Sequence, residues 1–417
     1  MRLIHFSDLH LGVDNHGALD PETGLSTRVL DFLRVFDLIL DRAIADRVDA
    51  VLFTGDAFKN RDPSPTLQRE FARRVLRLSQ ADIPIVILVG NHDLPNVASR
   101  ATPVEIYGVL EIQGVYVSRS IERLNVATRS GPLQIVTLPW IPRSGLLGLR
   151  EYRELDDLAL DRETQQLVSE AIADKLRGID PTQPSVLMAH VSIQGASLGQ
   201  EQSIMLGKDI TVGRDDVHAR SFDYVALGHI HKHQVIGTHP PVVYAGSPER
   251  IDFGEEREPK GYVIVDIENG SDGRETQFEF VELPARRFRT LRIEARGDTP
   301  DAQVTREIER AGRDIRDAIV RCVIEVDTGR ERGVVVADVR KALLAAGASH
   351  VAHVVVESET TARARVAVSD EVARDAAQML ERWVEQKQYD ARLTERVLAR
   401  GREMIARRRQ EESGEAD

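Results

Sequence analysis

Short apolar runs that stop abruptly at Asp, Asn or His recur along this chain. The run IVILV is followed by GNHD at residues 90–93, and RLIHF, AVLF, SVLMA and YVAL end in a similar way. Each run has the length and composition of a buried β-strand. Any one ending could be an ordinary turn, because Gly, Asn and Asp all favour turns. The polar endings lie at residues 7–10, 54–56, 90–93, 190 and 228–231.

The segments between the first three runs have the spacing of amphipathic helices. Apolar residues recur on one helical face at Val29, Phe32, Leu33, Phe36, Ile39, Leu40 and Ala43, and again at Leu67, Phe71, Val75 and Leu76. Strands that alternate with helices predict βαβ units and a substantially parallel sheet. The carboxyl ends of parallel strands meet at one edge, where open α/β sheets bind their ligands. We therefore expect the five polar endings to converge at that edge.

Convergence would bring together eight polar side chains: Asp8, His10, Asp56, Asn91, His92, His190, His229 and His231. A lone histidine after an apolar strand is more often a core or capping residue than a ligand, but eight such residues at one edge favour a metal site. Asp8 and His10 are two residues apart, as are His229 and His231, so in an extended segment the side chains of each pair point to the same side. Oxygen and imidazole donors without thiolates suit Mn, Fe or Zn. Eight donors are too many for one ion, which predicts two metals about 4 Å apart, as in phosphatases and nucleases.

Composition excludes several classes of protein. The 417 residues are 42% apolar and 29% charged, which is ordinary for a soluble chain of two or three domains. No apolar stretch approaches the roughly 20 residues that span a bilayer, and MRLIHFSD lacks the pattern of a secretory leader. The one cysteine, Cys322, excludes an internal disulfide and a cysteine metal cluster, so we expect a cytoplasmic protein. The net charge of −12 argues against coating of nucleic acid by bulk charge, although a local cationic site can still hold phosphate.

Five motifs in this order resemble the calcineurin-like metallophosphoesterases: SDLH, TGDA, VGNHDL, MAH and LGHIH. Each motif alone is weak, but the ordered set is specific. The segments IHFSDLHLG, GDAFKNRDPSP, YVALGHIHKHQ and YAGSPERIDFGEE further resemble SbcD-type nucleases, the nuclease subunits of SbcCD DNA repair complexes. The resemblance covers about residues 1–285, and beyond them only the layout is similar. It implies an α/β fold with a metallophosphoesterase β-sandwich core flanked by helices, a small α/β cap domain and a C-terminal helix pair.

The resemblance also implies a role for each candidate residue. One metal ion would lie between Asp8, His10, Asp56 and His231. The other would lie between Asp56, Asn91, His190 and His229, with Asp56 as the bridge. His92 would act beside the scissile phosphate as a catalytic donor without binding metal, Asp93 would orient its ring, and Gly90 would free the turn. The cofactors implied are two divalent metal ions, with Mn²⁺ favoured.

The activity implied is hydrolysis of DNA phosphodiester bonds by the nuclease subunit of an SbcCD-like double-strand-break repair complex, with exonuclease and endonuclease activity. An alternative is a metallophosphoesterase that acts on a small molecule or a phosphoprotein, which the metal site does not exclude. A catalytically dead scaffold is disfavoured because every metal-binding residue is retained. The partners implied are DNA, as double-stranded ends and single strands, and an SMC-like ATPase subunit (SbcC). This chain would form a homodimer within a heterotetramer, in the cytoplasm at the nucleoid and without a membrane partner.

Changes of pattern along the chain predict three domains. Residues 1–283 form the metallophosphoesterase (nuclease) domain, and residues 284–368 alternate strand, helix, strand, helix, strand as a cap, with its first helix at about 301–318. Residues 369–417 form a helix pair with a frayed tail. By resemblance, the cap contacts DNA and the helix pair docks on the ATPase subunit. The apolar faces of these two helices would alternatively pack back on the cap.

Two sets of residues outside the motifs are open to two interpretations. Four arginines at the start of the cap would contact DNA or form a solvated charge run: Arg286, Arg287, Arg289 and Arg292. Four residues beside the motifs would touch substrate or belong to surface loops: Asp14, His16, Asn60 and His233.

Overall fold

The computed structural model describes residues 1–95, 100–142, 157–197, 211–213, 221–271, 273–358, 384 and 394–402. The chain divides into two compact units. The first comprises Met1–Thr290, Asp314–Val320 and Gly347–Ala352, and the second comprises Leu291–Arg313, Arg321–Ala346 and His353–Asp417. Among the described residues, none of the helices has both the length and the apolar character that crossing a membrane requires.

The strands and helices follow one another along the chain with these bounds. The strands are β1 (Arg2–Phe6), β2 (Ala50–Phe53), β3 (Ile85–Leu88), β4 (Val115–Ser118), β5 (Glu122–Thr128), β6 (Gly131–Leu138), β7 (Ser185–His190), β8 (Ser192–Ile193), β9 (Thr211–Val212), β10 (Tyr224–Gly228), β11 (Gln234–Thr238), β12 (Pro241–Tyr244), β13 (Gly261–Gly270), β14 (Gly273–Glu282), β15 (Phe288–Ala295), β16 (Ile319–Val326) and β17 (His350–Ser358). The helices are α1 (Thr27–Asp46), α2 (Pro65–Gln80), α3 (Glu105–Val109), α4 (Asp157–Leu176), α5 (Pro300–Arg310), α6 (Gly312–Ile315) and α7 (Val336–Ala345). Short 3-10 turns span Phe253–Glu255 and Glu331–Gly333.

The first sheet has the strand order β14-β13-β1-β2-β3-β4. Strands β1 to β4 run parallel, whereas β13 is antiparallel to β1 and β14 is antiparallel to β13. The helices α1 and α2 connect the first three strands, so the predicted βαβ units are confirmed. The N-cap serines Ser26 and Ser64 accept hydrogen bonds from backbone N–H groups in the first turns of α1 and α2. The apolar faces of both helices pack on the outer side of this sheet.

The second sheet has the strand order β11-β12-β10-β7-β6-β5, in which β6, β7, β10 and β12 are parallel. The two sheets share one apolar core, so they pack face to face. Residues of that core include Leu52 and Val86 from the first sheet and Met188, Tyr224 and Val243 from the second. The helix α4 packs on the outer face of the second sheet. The β-sandwich core flanked by helices, which the resemblance implied, is therefore confirmed.

The polar strand endings converge at one end of the sandwich, but not at the edge of one sheet. β1, β2 and β3 belong to the first sheet, whereas β7 and β10 belong to the second. The prediction of a single sheet edge was wrong, because apolar spacing identifies a strand without identifying the sheet that it joins. The donors therefore meet across the two layers of the sandwich.

The region expected to form the cap has the predicted alternation of strands and helices, with a sheet of order β15-β16-β17. The helix predicted at about 301–318 was too long, because α5 ends at Arg310 and only the short α6 follows before β16. Gly312 lowers helix propensity, and the left-handed φ of 57° at Asp317 ends the helical segment.

The predicted helix pair over residues 369–417 lies largely outside the described residues. Within it, Val384 is helical with 2% of its surface exposed, and residues 394–402 are helical. The apolar positions Met379, Leu380 and Trp383 lie outside the described part, so their role stays a prediction.

A buried ion cluster joins α1 to the segment that precedes β15. Arg28 donates to Asp31 at 2.8 Å, and Arg286 donates to both oxygens of Asp31 at 2.9 and 2.5 Å. Glu249 is fully buried and accepts hydrogen bonds from the backbone N–H groups of Arg250 and Arg286. Arg286, one of the four arginines considered for DNA contact, therefore forms a structural ion pair rather than part of a solvated charge run.

We expect Asp31→Ala to lower the free energy of unfolding by about 3–5 kcal/mol, because it leaves two partly or fully buried guanidinium groups without their shared carboxylate. Chemical denaturation of the full chain measures this loss. The matched control is Arg42→Ala, which removes an exposed i, i+4 ion pair with Asp46 at 2.7 Å and should cost at most about 0.5 kcal/mol. Equal losses in the two variants would contradict a structural role for the cluster.

Candidate metal centre

Four of the predicted donors have left-handed backbone conformations. The φ angle is 54° at Asp8, 44° at His10, 58° at Asp56 and 96° at His229. Each of these residues lies in a segment that follows β1, β2 or β10. A side chain with a Cβ adopts this region at a cost of about 1–3 kcal/mol, and such strain clusters at functional sites. Backbone strain is therefore concentrated at the end of the sandwich where the donors meet.

Asp8, His10 and His231 form the first donor group, in which one oxygen and two ring nitrogens lie within 4.8 Å of one another. The Nε2 atoms of His10 and His231 are 2.9 Å apart. His231 Nδ1 donates to Glu255 Oε1 at 2.8 Å, so the neutral ring has its lone pair on Nε2, which faces His10. Two ring nitrogens that converge beside a carboxylate match the requirements of a cation.

Asn91, His190 and His229 form the second donor group. Asn91 Oδ1 lies 3.0 Å from His190 Nε2 and 3.0 Å from His229 Nδ1. His190 Nδ1 donates to the backbone carbonyl of Thr54 at 2.6 Å, which directs Nε2 towards the group. The indole of Trp140 packs against His229 with 4.8 Å between ring centroids. These contacts fix two imidazoles and one amide oxygen around a common point.

Asp56 lies between the two donor groups. Its Oδ1 accepts the backbone N–H of His92 at 2.8 Å. Its Oδ2 lies 3.6 Å from His10 Nε2 and 3.4 Å from His190 Nε2. One carboxylate oxygen therefore approaches one nitrogen from each group, which is the geometry expected of a residue shared by two ions.

The site shifts the pKa of a carboxyl and an imidazole in opposite directions. Burial raises the pKa of Asp56, but His190 and His10 outweigh burial and hold that pKa below its ordinary value. Burial lowers the pKa of His190, but Asp56 and Asp8 outweigh it and raise that pKa to about 9. The Asp56 carboxylate therefore attracts a positive charge, which a proton on His190 or a metal cation can supply.

His92 is exposed, and its ring lies 4.7 Å from the ring of His10 between centroids. Its Nδ1 donates to the backbone carbonyl of Lys59 at 2.8 Å. The expectation that Asp93 orients this ring was therefore wrong, because the carbonyl oxygen of Lys59 accepts the hydrogen bond from Nδ1. The Nε2 atom is left as the ring nitrogen that can exchange a proton with a substrate.

Asp93 instead accepts hydrogen bonds from the backbone of the turns after β2 and β3. Its carboxylate is fully buried and accepts N–H groups from Asp56 at 2.9 Å, Ala57 at 3.0 Å and Gly90 at 3.0 Å. Burial, together with the nearby charge of Asp56, raises the pKa of Asp93 to about 7. Asp93 therefore positions the segment that carries Asp56, and acts on His92 only through that segment.

Gly90 has a different role from the one expected. Its φ is not left-handed, whereas the φ of Gly55 is 102°. A Cβ at Gly90 would overlap the carboxylate of Asp56. Glycine is therefore required at residue 90 for the close approach of two turns and not for backbone freedom.

Sequence reasoning missed the groups that hold the donors in place. Glu255 accepts from His231, and Lys260 Nζ lies 3.0 Å from Glu255 Oε2. Burial raises the pKa of Glu255, but Lys260 and His231 hold it below its ordinary value. The backbone carbonyls of Thr54 and Lys59 carry no signal in the sequence, whereas Glu255 ends the IDFGE segment and could have been considered.

The four residues beside the motifs do not form one group. Asp14 and Asn60 are exposed, as expected of surface loop residues. His233 is half-buried, stacks on Phe280 at 4.1 Å between centroids and donates to a backbone carbonyl. His16 packs beside aromatic rings.

A comparison with protein families matches residues 1–233 to the family described as calcineurin-like phosphoesterase. This match spans more than half of the 417 residues. The chain belongs to the calcineurin-like phosphoesterase family. The donor set fits the divalent cations that such a phosphoesterase needs, because carboxylate, amide and imidazole donors converge without a thiolate.

Among curated proteins, this phosphoesterase is similar to two named nucleases and one named repair protein. It is 30% identical over 284 residues to the SbcD subunit of nuclease SbcCD from Escherichia coli (strain K12), covering 65% of this chain and 66% of that protein, just under two thirds. It is 28% identical over 323 residues to the corresponding SbcCD nuclease subunit of Rhodobacter capsulatus, covering 74% and 76%. It is 27% identical over 309 residues to DNA double-strand break repair protein Mre11 of Thermoplasma acidophilum, covering 73% and 70%.

We expect Gly90→Ala to weaken binding of divalent cations by the phosphoesterase by at least about tenfold, because the new methyl group displaces the Asp56 carboxylate. Calorimetric titration of the purified chain with Mn²⁺ measures the affinity. Gly312→Ala is the matched control, since the nearest atom to its new Cβ is 4.0 Å away. Unchanged affinity in the Gly90 variant would show that the close approach of the two turns does not set the position of Asp56.

Proposed function

We propose that this chain is a metal-dependent DNA phosphodiester hydrolase, the nuclease subunit of an SbcCD-like double-strand-break repair complex with exonuclease and endonuclease activity. The observation that carries the proposal is the position of Asp56 between two donor groups, beside an exposed His92. Relatives that align over 65–74% of the chain are named as nucleases or as a break repair protein, which supports DNA as the substrate.

The two donor groups support two divalent ions, for which Mn²⁺ is our first choice. The proposed ligands of one ion are Asp8, His10, Asp56 and His231, and those of the other are Asp56, Asn91, His190 and His229. Bound ions would lower the pKa of an attacking water and neutralise negative charge on the phosphate oxygens. The residues themselves hold these positions before substrate arrives, because each is buried or hydrogen-bonded to its neighbours.

His92 is proposed as the proton donor to the departing sugar oxygen. Its Nδ1 proton is held by the Lys59 carbonyl, so Nε2 is the atom from which a proton would move. Its exposure allows contact with a substrate, whereas the metal-binding residues are mostly buried. Asp93 supports the reaction indirectly, through the backbone of Asp56.

The charge of the proposed site suits a phosphodiester. Two divalent cations against the carboxylates of Asp8 and Asp56 leave about two positive charges at this end of the sandwich. That local charge can attract the DNA backbone even though the whole chain has a net charge of −12.

The remaining predictions on organisation are part of this proposal. Residues 1–283 would carry the nuclease, residues 284–368 would contact DNA beside it, and residues 369–417 would dock on the SMC-like ATPase subunit. The chain would act as a homodimer within a heterotetramer, in the cytoplasm at the nucleoid. The names of the relatives, which include a component of SbcCD, support a partner of this kind.

The test of the function uses the purified full chain with Mn²⁺. It is offered end-labelled duplex DNA, single-stranded DNA and p-nitrophenyl phosphate esters, with Asp56→Asn as the inactive control. We expect hydrolysis of both kinds of DNA. Cleavage of the small esters alone, with DNA untouched, would favour a phosphoesterase for small molecules or phosphoproteins.

We expect His92→Gln to lower the turnover number on DNA by roughly 10²- to 10⁴-fold, the range for losing a general acid, and to leave both ions bound. Turnover is measured at saturating DNA, and elemental analysis counts the ions. His10→Gln is the comparison, since it should lose an ion. If the His92 variant also loses an ion, His92 is a ligand and its proposed role is wrong.

A chain that ends at residue 369 should fold, bind two ions and nick single-stranded DNA, but should not co-purify with the ATPase subunit. The reason is that the proposed metal ligands all precede residue 232, whereas the apolar face predicted at Met379, Leu380, Trp383 and Val384 lies in the removed segment. Trp383→Glu in the full chain should have the same effect, because a carboxylate in an apolar interface is costly.

Val109→Glu is the control for that substitution, because Val109 is an apolar residue with 80% exposure in the first unit. It should leave the co-purification unchanged. Aggregation of the truncated chain, with the ATPase subunit still bound by soluble Trp383→Glu protein, would place the helices in the core of the cap instead.

A further inference from the structure

Lys260 is a charged side chain with no exposed surface, directly before β13. Its Nζ lies 3.0 Å from Glu255 Oε2 and 3.0 Å from Glu258 Oε2, and it donates to Ser247 Oγ at 2.9 Å and to the backbone carbonyl of His231 at 3.1 Å. A lysine is almost never fully buried unless it is paired, so the contacts show what this burial achieves.

Two of these contacts affect His231, one through its backbone and one through its ring. The Nζ atom holds the main-chain oxygen of His231 directly. It also neutralises Glu255, whose other oxygen accepts the Nδ1 proton of His231 at 2.8 Å. The backbone and the ring of His231 are therefore both tied to one ammonium group.

The orientation of this ring matters for any cation between His10 and His231. A histidine that binds metal through Nε2 needs its proton on Nδ1 and a partner that keeps it there. Glu255 is that partner, and it is itself 7% exposed, so it requires a compensating positive charge close by. Among the described residues, Glu255 forms ion pairs with His231 and with Lys260, and Lys260 supplies the compensating positive charge.

We propose that Lys260 is a positioning residue for metal binding, which holds His231 in the orientation that presents Nε2 to the ion shared with Asp8 and His10. This inference rests on the proposed ligand role of His231. It adds a residue that no motif identifies and that touches neither the ion nor the substrate.

The test is calorimetric titration of the purified full chain with Mn²⁺, fitted to two sites, for the wild type and Lys260→Met. We expect the ion at Asp8, His10 and His231 to bind about 10- to 100-fold more weakly, as for loss of other residues that orient metal ligands. The affinity of the ion at Asn91, His190 and His229 should change by less than about threefold, since Lys260 contacts none of them. A purely structural role would weaken both sites equally or neither, and either result would overturn the inference.

Glu258→Gln is the matched control. It removes one ion pair of Lys260, at 3.0 Å, but no contact of His231. It should therefore leave both metal affinities within about twofold of the wild type. If it weakens the same ion as strongly as Lys260→Met does, the effect comes from the loss of buried charge in general and the inference is wrong.

Lys260→Gln is measured in the same way should the methionine variant not fold, because it keeps a donor near the His231 carbonyl and removes the charge. At least fivefold weaker binding of the first ion supports the inference, and unchanged binding overturns it. His231→Ala separates the two levels of the argument. If His231→Ala also leaves the first ion unaffected, the proposed ligand assignment itself has failed; if it weakens that ion and neither lysine variant does, only the role of Lys260 is wrong.

Discussion

The hydrogen bonds that Asp93 accepts fix the backbone at the end of the sandwich where the candidate donors meet. One buried carboxylate ties the turn after β2, at Asp56 and Ala57, to the turn after β3, at Gly90. The backbone N–H of His92 donates to Asp56 Oδ1, so a second hydrogen bond joins the same two turns. Main-chain groups therefore set the position of the Asp56 carboxylate, and the absence of a Cβ at Gly90 leaves the space for it.

A second link crosses the sandwich and ends at the same site. His5 of β1 is fully buried, with Nδ1 3.0 Å from the hydroxyl of Tyr224 in the second sheet and Nε2 3.1 Å from the hydroxyl of Thr54. Burial, with a smaller contribution from His233, lowers the pKa of His5 to about 3, so the ring is neutral and can donate on one side and accept on the other. The carbonyl of Thr54 then accepts from His190. A chain of hydrogen bonds therefore runs from Tyr224 in the second sheet through His5 of the first sheet and Thr54 to the candidate donor His190.

Sequence patterns identified several strands and helices and the candidate donors, but not the groups that hold those donors in place. Strands such as β1 and β7 are visible because strand length and apolar composition are local properties, and Asp56 or His229 is visible because its side chain carries the chemistry. The division into two sheets is not local, which is why a single edge was expected. The role of Asp93 also depends on tertiary structure, because it joins the backbone N–H of Gly90 in its own turn to that of Asp56 in a turn 37 residues away. For the same reason no motif reveals the carbonyl of Lys59, which accepts a hydrogen bond from His92 Nδ1.

The division of the site between two sheets has a consequence for the order in which the protein is made. A nascent chain that has reached the end of β4 at Ser118 contains the parallel strands of the first sheet with Asp8 and Asp56, but not one donor from the second sheet. The donors of β7 and β10 follow 72 or more residues later, the difference between positions 190 and 118. Domains fold as units as the chain emerges, so the cluster stays incomplete until residue 231 has left the ribosome. A chain that ends before residue 190 therefore lacks every candidate donor of the second sheet, and its cluster stays incomplete.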